Sequence, residues 1–263
     1  MKVLSISNEK GGVGKTVFAA NLAWELARKG YLVVTIDLDQ QTDLTKLFYR
    51  EERLVPLDIY DVLVGECTVS EACYMVTDNL YLIPGSRNIK HFDLKHSETL
   101  LKEALQANDL DIVDIVIIDH PPSTSEATLL GHVASSYVLV VTDTEEFSVD
   151  NIGNFLDDLT RIKETMNPDL KVLGVVANRV DLHRNLTKLV LKELQQTFGN
   201  NFFKTYVSNN TAIPSSVRHK KAVRELRLST PVLAQLKKVA DEVEERMGLK
   251  HGDGQAKNNE SKD

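Results

Sequence analysis

The stretch SNEKGGVGKT, Ser7 to Thr16, follows directly on the apolar run Val3-Leu4-Ser5-Ile6. Set against the phosphate-loop pattern G-x-x-x-x-G-K-[ST], it lacks the first glycine: counting back from Gly14-Lys15-Thr16 reaches Glu9. It also carries a second lysine, Lys10, inside the loop. Gly11, Gly12 and Gly14 allow backbone N–H groups to turn inward and phosphates to approach closely. The helix expected after the loop adds its positive end. Lys15 is then the cation for the β- and γ-phosphates, and the Thr16 hydroxyl is a magnesium ligand. Gly11, Gly12, Val13, Gly14, Lys15, Thr16 and Val17 form the expected nucleotide-contacting run.

Outward from this loop, strand-like and helix-like stretches alternate. Val3–Ile6, Leu32–Ile36, Asn79–Ile83, Ile112–Ile118, Tyr137–Val141 and Val172–Ala177 read as strands. Val17–Arg28, Glu98–Ala107, Ile152–Met166, Leu186–Phe198 and Val232–Met247 read as helices. Near-continuous apolar strands separated by helices predict a mainly parallel, twisted sheet covered on both faces, an α/β fold, and the glycine loop marks it as that of a P-loop NTPase. One domain is expected over residues 1–247. A polar tail, 248–263, carries almost no large apolar side chain and is expected to be disordered. The last helix places Leu233, Leu236, Val239, Ala240 and Val243 on one stripe, a core-packing pattern.

The chain has 263 residues, 42% hydrophobic, and a formal net charge of −7. That balance argues against a uniformly basic nucleic-acid binder and leaves room for a local basic patch. No apolar run approaches the ~20 residues needed to span a bilayer. The N-terminal stretch is too short and too polar for a secretory signal. Cys67 and Cys73 match no zinc or cluster spacing and read as reduced thiols, which fits a cytoplasmic protein.

A phosphate loop needs carboxylates at the ends of neighbouring strands. "VVTIDLDQQTDLT" ends one strand with Asp37 and Asp39, and "IVIIDHPPS" ends another with Asp119. In open α/β sheets ligands sit at strand C-termini, where a carboxylate holds Mg2+ through water or orients the attacking water.

These three segments together, Lys10–Thr16, Asp37–Thr45 and Asp119–Pro122, resemble the ParA/MinD family of deviant Walker ATPases, in family order and at family distances from Met1 to about Met247. The resemblance implies an ATPase that uses ATP and Mg2+ and dimerises with ATP sandwiched between subunits. It implies that Lys10 reaches the phosphates of the partner subunit, that Asp39 positions the attacking water, and that Asp37 supports Mg2+. It gives Asp119 the Walker-B role, with Pro121-Pro122 in a switch segment. Asn178 and the Ile213-Pro214 loop fall where the family meets adenine. Gln40 replaces a common proline, and Val17 a common second threonine.

Within the family, the tail GLKHGDGQAKNNESKD has no apolar face, which disfavours the membrane-bound septum-positioning branch. The cysteine positions disfavour the electron-transfer branch, and the missing C-x-x-C disfavours the cluster carriers. Between Arg218 and Arg227 five basic residues, Arg218, Lys220, Lys221, Arg224 and Arg227, stand against one acid, Glu225. A basic strip on an acidic body suits local phosphate contact. No aromatic is interleaved with these charges, so base stacking is not expected. The resemblance therefore implies a DNA-partitioning ATPase: an ATP-bound homodimer on nonspecific double-stranded DNA at the nucleoid, released by slow hydrolysis that a ParB-like centromere-binding partner stimulates. Two alternatives stand beside it. One is a relative that positions a protein cargo along the nucleoid; the other is a metabolic P-loop enzyme such as an ATP-dependent amide-forming ligase.

Overall fold

In a computed structural model, the described residues are 1–49, 57–92, 98–107, 110–123, 125–226 and 230–250. The chain opens with β1 (Lys2–Ser7), passes through the glycine loop into α1 (Lys15–Arg28) and returns as β2 (Val33–Asp37). Next come the short helices α2 (Asp43–Phe48) and α3 (Ile59–Leu63) and the strands β3 (Tyr74–Thr77) and β4 (Leu80–Ile83). From there α4 (Leu100–Ala107), β5 (Ile115–Asp119), α5 (Glu126–Ala134), β6 (Tyr137–Thr142), α6 (Ser148–Thr165) and β7 (Lys171–Ala177) alternate. Three more helices follow: α7 (Asn185–Phe198), α8 (Ala212–Arg218) and α9 (Pro231–Met247).

The strands form one seven-stranded sheet in the order β3-β4-β2-β5-β1-β6-β7. Every pairing is parallel except β3 with β4, an antiparallel edge hairpin. Register decides where chemistry can occur. Ile6 and Asp37 both stand opposite Asp119. Two carboxylates and the start of the glycine loop therefore share one end of the sheet.

Side-chain alternation along β1 shows how both faces are covered. Leu4 and Ile6 pack with α1 and α9, through Phe18, Leu22, Leu26, Leu236 and Val243. Val3 joins the opposite core under α3, α4 and α5. A third cluster packs α6 and α7 on β6 and β7, through Ile152, Phe155, Leu159, Val190 and Leu194. Ser5 and Ser7 share the Val3 side of β1 but are not apolar. They meet a buried polar stripe: Ser5 Oγ lies 2.6 Å from His120 Nε2 and 2.7 Å from Ser135 Oγ, and Ser7 Oγ lies 3.1 Å from His132 Nε2. The two imidazoles stack with centroids 4.6 Å apart. Burial holds both rings neutral: His132 is pushed down to about 3, and His120 well below the usual histidine range. Gly131 of α5 makes the room; a Cβ there would collide with the His120 ring and lie 2.9 Å from Leu38 Cδ1.

Several boundaries differ from the sequence reading. The strand expected from Ile112 starts at Ile115. Ile112 is exposed, and Asp114 Oδ2 accepts from Leu32 N at 2.8 Å, so this acid fastens the start of β2 instead of interrupting a strand. On α9 the buried stripe runs through Val232, Leu236, Val239, Ala240, Val243 and Met247, with Leu233 only half-buried. β3 carries too little apolar periodicity to stand out, and α5 lies in a polar-apolar mixture introduced by the cap Ser125. Of the expected tail, residues 248–250 are described, with Gly248 as the left-handed cap of α9; 251–263 lie outside the described residues.

Gly131→Ala is expected to lower the stability of the protein by about 1–3 kcal/mol despite alanine's better helix propensity, because the added methyl overpacks the histidine stack. Urea unfolding of the two proteins measures it.

Candidate nucleotide site

The loop between β1 and α1 is shaped by two left-handed glycines, Gly12 (φ 78°) and Gly14 (φ 88°). Gly14 also has no room for a side chain, since a Cβ there would lie 2.7 Å from Asn178 Nδ2. Side chains from elsewhere then pin the loop. Asn8 Nδ2 donates to Val141 O at 2.8 Å, while Asn8 Oδ1 accepts from Lys10 N at 3.0 Å. Asn178 Nδ2 donates to Val13 O at 2.8 Å, and the Arg179 guanidinium to Gly12 O at 2.5 Å. With the Gly12 and Val13 carbonyls bound from outside, a glycine loop of this kind can offer its remaining N–H groups to an anion.

Lys15 is buried, and its ammonium donates to Asn8 O at 2.8 Å and Lys10 O at 3.2 Å. Burial lowers its pKa, against the pull of Asp119 and Asp39 in the other direction. Lys10 points elsewhere: its Nζ lies 2.9 Å from Asp143 Oδ1 and 2.8 Å from Oδ2.

The three sequence-selected carboxylates have different surroundings. Asp37 is fully buried with both oxygens engaged, Oδ1 by Asp39 N at 3.1 Å and Oδ2 by Thr45 N at 2.9 Å and Thr45 Oγ1 at 2.6 Å. Burial pushes it up to about 6 in spite of those bonds. Its carboxylate thus organises the turn that presents Asp39, and a direct metal-ligand role would compete with three existing bonds. Asp39 Oδ1 accepts from Gln41 N at 2.9 Å, and its side chain faces the cavity beside the loop. Asp119 is fully buried, and its oxygens make no hydrogen bond of ordinary geometry within the fold, although the Thr16 hydroxyl stands near enough to favour its charge. Burial, then the nearby Asp37, raises its pKa well above the carboxylate range, opposed by the Thr16 hydroxyl and Lys15.

A buried carboxylate without a well-formed hydrogen bond is costly, by several kcal/mol when ionised. Beside a threonine hydroxyl at the mouth of an anion cradle, it has the oxygen chemistry that a hard divalent cation requires. The residues fit Mg2+: Thr16 and Asp119 would hold it, directly or through water.

The cavity here measures about 580 Å3 and is lined by Lys15, Thr16, Asp39, His120 and Pro122 among others. A second, more apolar cavity of about 400 Å3 adjoins it at Gly14 and Val17 and is bounded by Asn178, Arg179, Ile213 and Pro214. The sequence-selected adenine residues are therefore brought together, next to the phosphate cradle. Gly11 backs on Pro122, whose ring would lie 3.5 Å from a Cβ at that glycine.

The basic strip divides. Arg218 ends α8 and borders the second cavity, and the exposed Lys220 borders the first. Lys221 is half-buried. Arg224 departs from the expected outward-facing strip: its guanidinium grips the buried Glu25 of α1, Nε to Oε1 at 2.6 Å and a terminal nitrogen to Oε2 at 2.9 Å. Arg227 lies outside the described residues. Sequence reading missed Asn8, Arg179, the His120–His132 stack and Asp143. Asp143 had a usable signal: it follows the apolar strand Tyr137–Thr142 as Asp37 and Asp119 close theirs.

Residues 1–172 match the AAA domain family AAA_31. The chain is 30% identical over 247 residues to the chromosome-partitioning ATPase Soj of Thermus thermophilus, covering 93% of this chain and 96% of that protein. Among solved structures, a cobyrinic acid a,c-diamide synthase of Mycobacterium smegmatis with bound ATP analogue and magnesium is 26% identical. Its TM-score is 0.78, over 92% of this chain and 93% of that one. A putative plasmid partition protein of Borrelia burgdorferi bound to AMPPNP shares the fold, with a TM-score of 0.79 at 22% identity over 94% and 98% of the two chains. Among the described residues no helix is long and apolar enough to cross a membrane.

Asp37 and Asp119 bind protons more tightly in the folded chain than in the unfolded one. Their contribution to stability is therefore fully present below about pH 4 and is lost as the pH rises through the folded values, about 6 for Asp37. Asp119→Asn is expected to stabilise the nucleotide-free protein at pH 7 by about 1–3 kcal/mol. It is also expected to flatten part of this pH dependence and to abolish the gain in melting temperature that Mg-ATP confers. Thermal melts across pH, with and without nucleotide, read all three.

Proposed function

The chain belongs to the AAA_31 family of ParA/MinD-type ATPases, and from that premise we propose that it segregates DNA as a nucleotide-gated dimer. At the level of the family it is a partitioning ATPase, with ATP and Mg2+ as cofactors. The finer reading is that two ATP-loaded subunits close face to face, each lending Lys10 to its neighbour's phosphates. The closed dimer then binds nonspecific duplex DNA, and a ParB-like partner hastens its release.

The observation that carries this reading is the division of labour between the loop's two lysines. Lys15 is turned into its own cradle, bonded to Asn8 and Lys10 carbonyls. The Lys10 ammonium is instead paired with Asp143. A cation with no task in its own subunit's phosphate site is suited to one across an interface, where it adds transition-state charge stabilisation only when two loaded subunits meet.

Bound Mg-ATP supplies the phosphoanhydride to be hydrolysed. The chain's contributions would be its own. Loop amides and Lys15 hold phosphate charge, Thr16 and Asp119 hold the metal, and Asp39 fixes the attacking water while the Gln41 N–H orients it. Asn178, Ile213 and Pro214 flank the base. On the outer surface Arg218, Lys220 and Lys221 remain as the candidate DNA contacts, beside the nucleotide cavities.

A metabolic amide-forming ligase is the second reading, favoured by the 26% identity to the Mycobacterium smegmatis structure. It requires fast turnover that depends on a small molecule and ignores DNA. ATPase measurements with and without plasmid DNA at low salt separate the two.

In a DNA shift assay, ATP is expected to promote binding over ADP or no nucleotide, with a log–log salt slope of about −0.9 per phosphate contact. Replacing Arg218 and Lys221 by Glu should remove DNA binding and keep the dimer; retained binding would refute the strip. Arg224→Ala belongs to a different class. It leaves Glu25 buried with only the longer contact to Arg28, Nε to Oε2 at 3.6 Å, and is expected to cost about 1–3 kcal/mol of stability, seen by urea unfolding.

A further inference from the structure

Asp143 has no role in the scheme above, yet its surroundings are specific. It stands one residue beyond β6, and its carboxylate takes both of its oxygens to Lys10. The pair is not a loose surface contact: the side chains are 30% and 15% exposed. Oδ1 also accepts from Ser148 Oγ at 3.0 Å and Glu145 N at 3.3 Å, at the start of α6. If Lys10 leaves, Asp143 keeps these two donors, so its charge is not stranded and the separation is inexpensive.

The loop end of the pair is linked to the phosphate site. Lys15 Nζ donates to the carbonyl of Lys10 itself and to that of Asn8, whose side chain ties the loop to Val141 of β6. An ammonium has three donors, and phosphate oxygens are stronger acceptors than carbonyls. A triphosphate entering the cradle would compete with these two carbonyls for Lys15 and so would loosen the backbone that carries Lys10.

We propose that Asp143 is a positioning residue that holds Lys10 on its own subunit until a triphosphate enters the loop, so that exchange of one ion pair gates assembly of the dimer. This rests on the cross-subunit role of Lys10 proposed above. It adds that the isolated subunit is held back by a contact of its own. Coupling of this kind is reciprocal: whatever triphosphate binding does to the ion pair, weakening the pair does to the ATP dependence of assembly.

The test is the monomer–dimer equilibrium by sedimentation, with a nonhydrolysable ATP analogue and Mg2+. Asp143→Asn keeps the shape and removes the charge. Two such pairs open per dimer, so its dissociation constant is expected to fall about tenfold relative to wild type. Asp143→Glu, which keeps the charge, should stay near wild type. Lys10→Ala should dimerise poorly, and adding Asp143→Asn to it should change nothing.

An unchanged equilibrium in Asp143→Asn with Lys10→Ala impaired overturns the gating and leaves the cross-subunit reading intact. Lys10→Ala dimerising like wild type overturns the cross-subunit reading. Tightening by Asp143→Asn in the Lys10→Ala background also overturns the gating, since the effect would then not pass through Lys10. A second measurement does not depend on assembly. Acylation of Lys10 in the nucleotide-free protein, read by mass spectrometry, should be severalfold faster in Asp143→Asn, and equal rates overturn the ion-pair hold.

Discussion

One carboxylate at the centre of the sheet, Asp119, is buried with neither oxygen in a hydrogen bond of ordinary geometry within the fold. Folding alone does not reward such a group. It raises the cost of the ionised form and leaves the neutral form with an unused donor and acceptor. The neighbours are arranged around that deficit. Lys15 and Thr16 favour its charge, while Asp37 opposes it and is itself displaced upward. A divalent cation here would make the arrangement coherent. The stability given up in the empty protein would then be recovered on binding, the usual relation between a functional site and the fold that carries it.

Much of the architecture was legible in the sequence because a parallel sheet buried on both faces leaves a direct mark, apolar runs without alternation. The central strands and long helices follow from that mark to within a few residues. The misses share a physical cause. β3 is an edge strand whose Met75 is exposed, so burial imposes no pattern on it. Ser5 and Ser7 look like interruptions in an apolar strand, and only the tertiary partners His120 and His132 explain them. Asp114 looked like part of a strand because its role, fastening Leu32 N, belongs to a neighbouring element distant in sequence.

At the site, residue type and spacing singled out the loop and the strand-end acids that the fold brings to one end of the sheet, because phosphate chemistry restricts both type and spacing. What spacing could not convey is how each carboxylate is occupied. Asp37, Asp39 and Asp119 are equivalent on paper; in space one is satisfied, one faces the cavity and one makes no hydrogen bond of ordinary geometry within the fold. Charge counting misread Arg224 in the same way. It is a cation by composition, yet the buried Glu25 takes the face of its guanidinium that phosphate would need.

That grip has a mechanical side. Glu25 belongs to the helix that begins at the cradle lysine, roughly 15 Å further along its axis. One turn earlier Asn21 accepts from Val223 N at 2.8 Å. The outer segment is riveted at two points to a rod whose other end is the anion cradle. Any tilt of that rod at its cradle end would be carried to the segment that holds Val223 and Arg224.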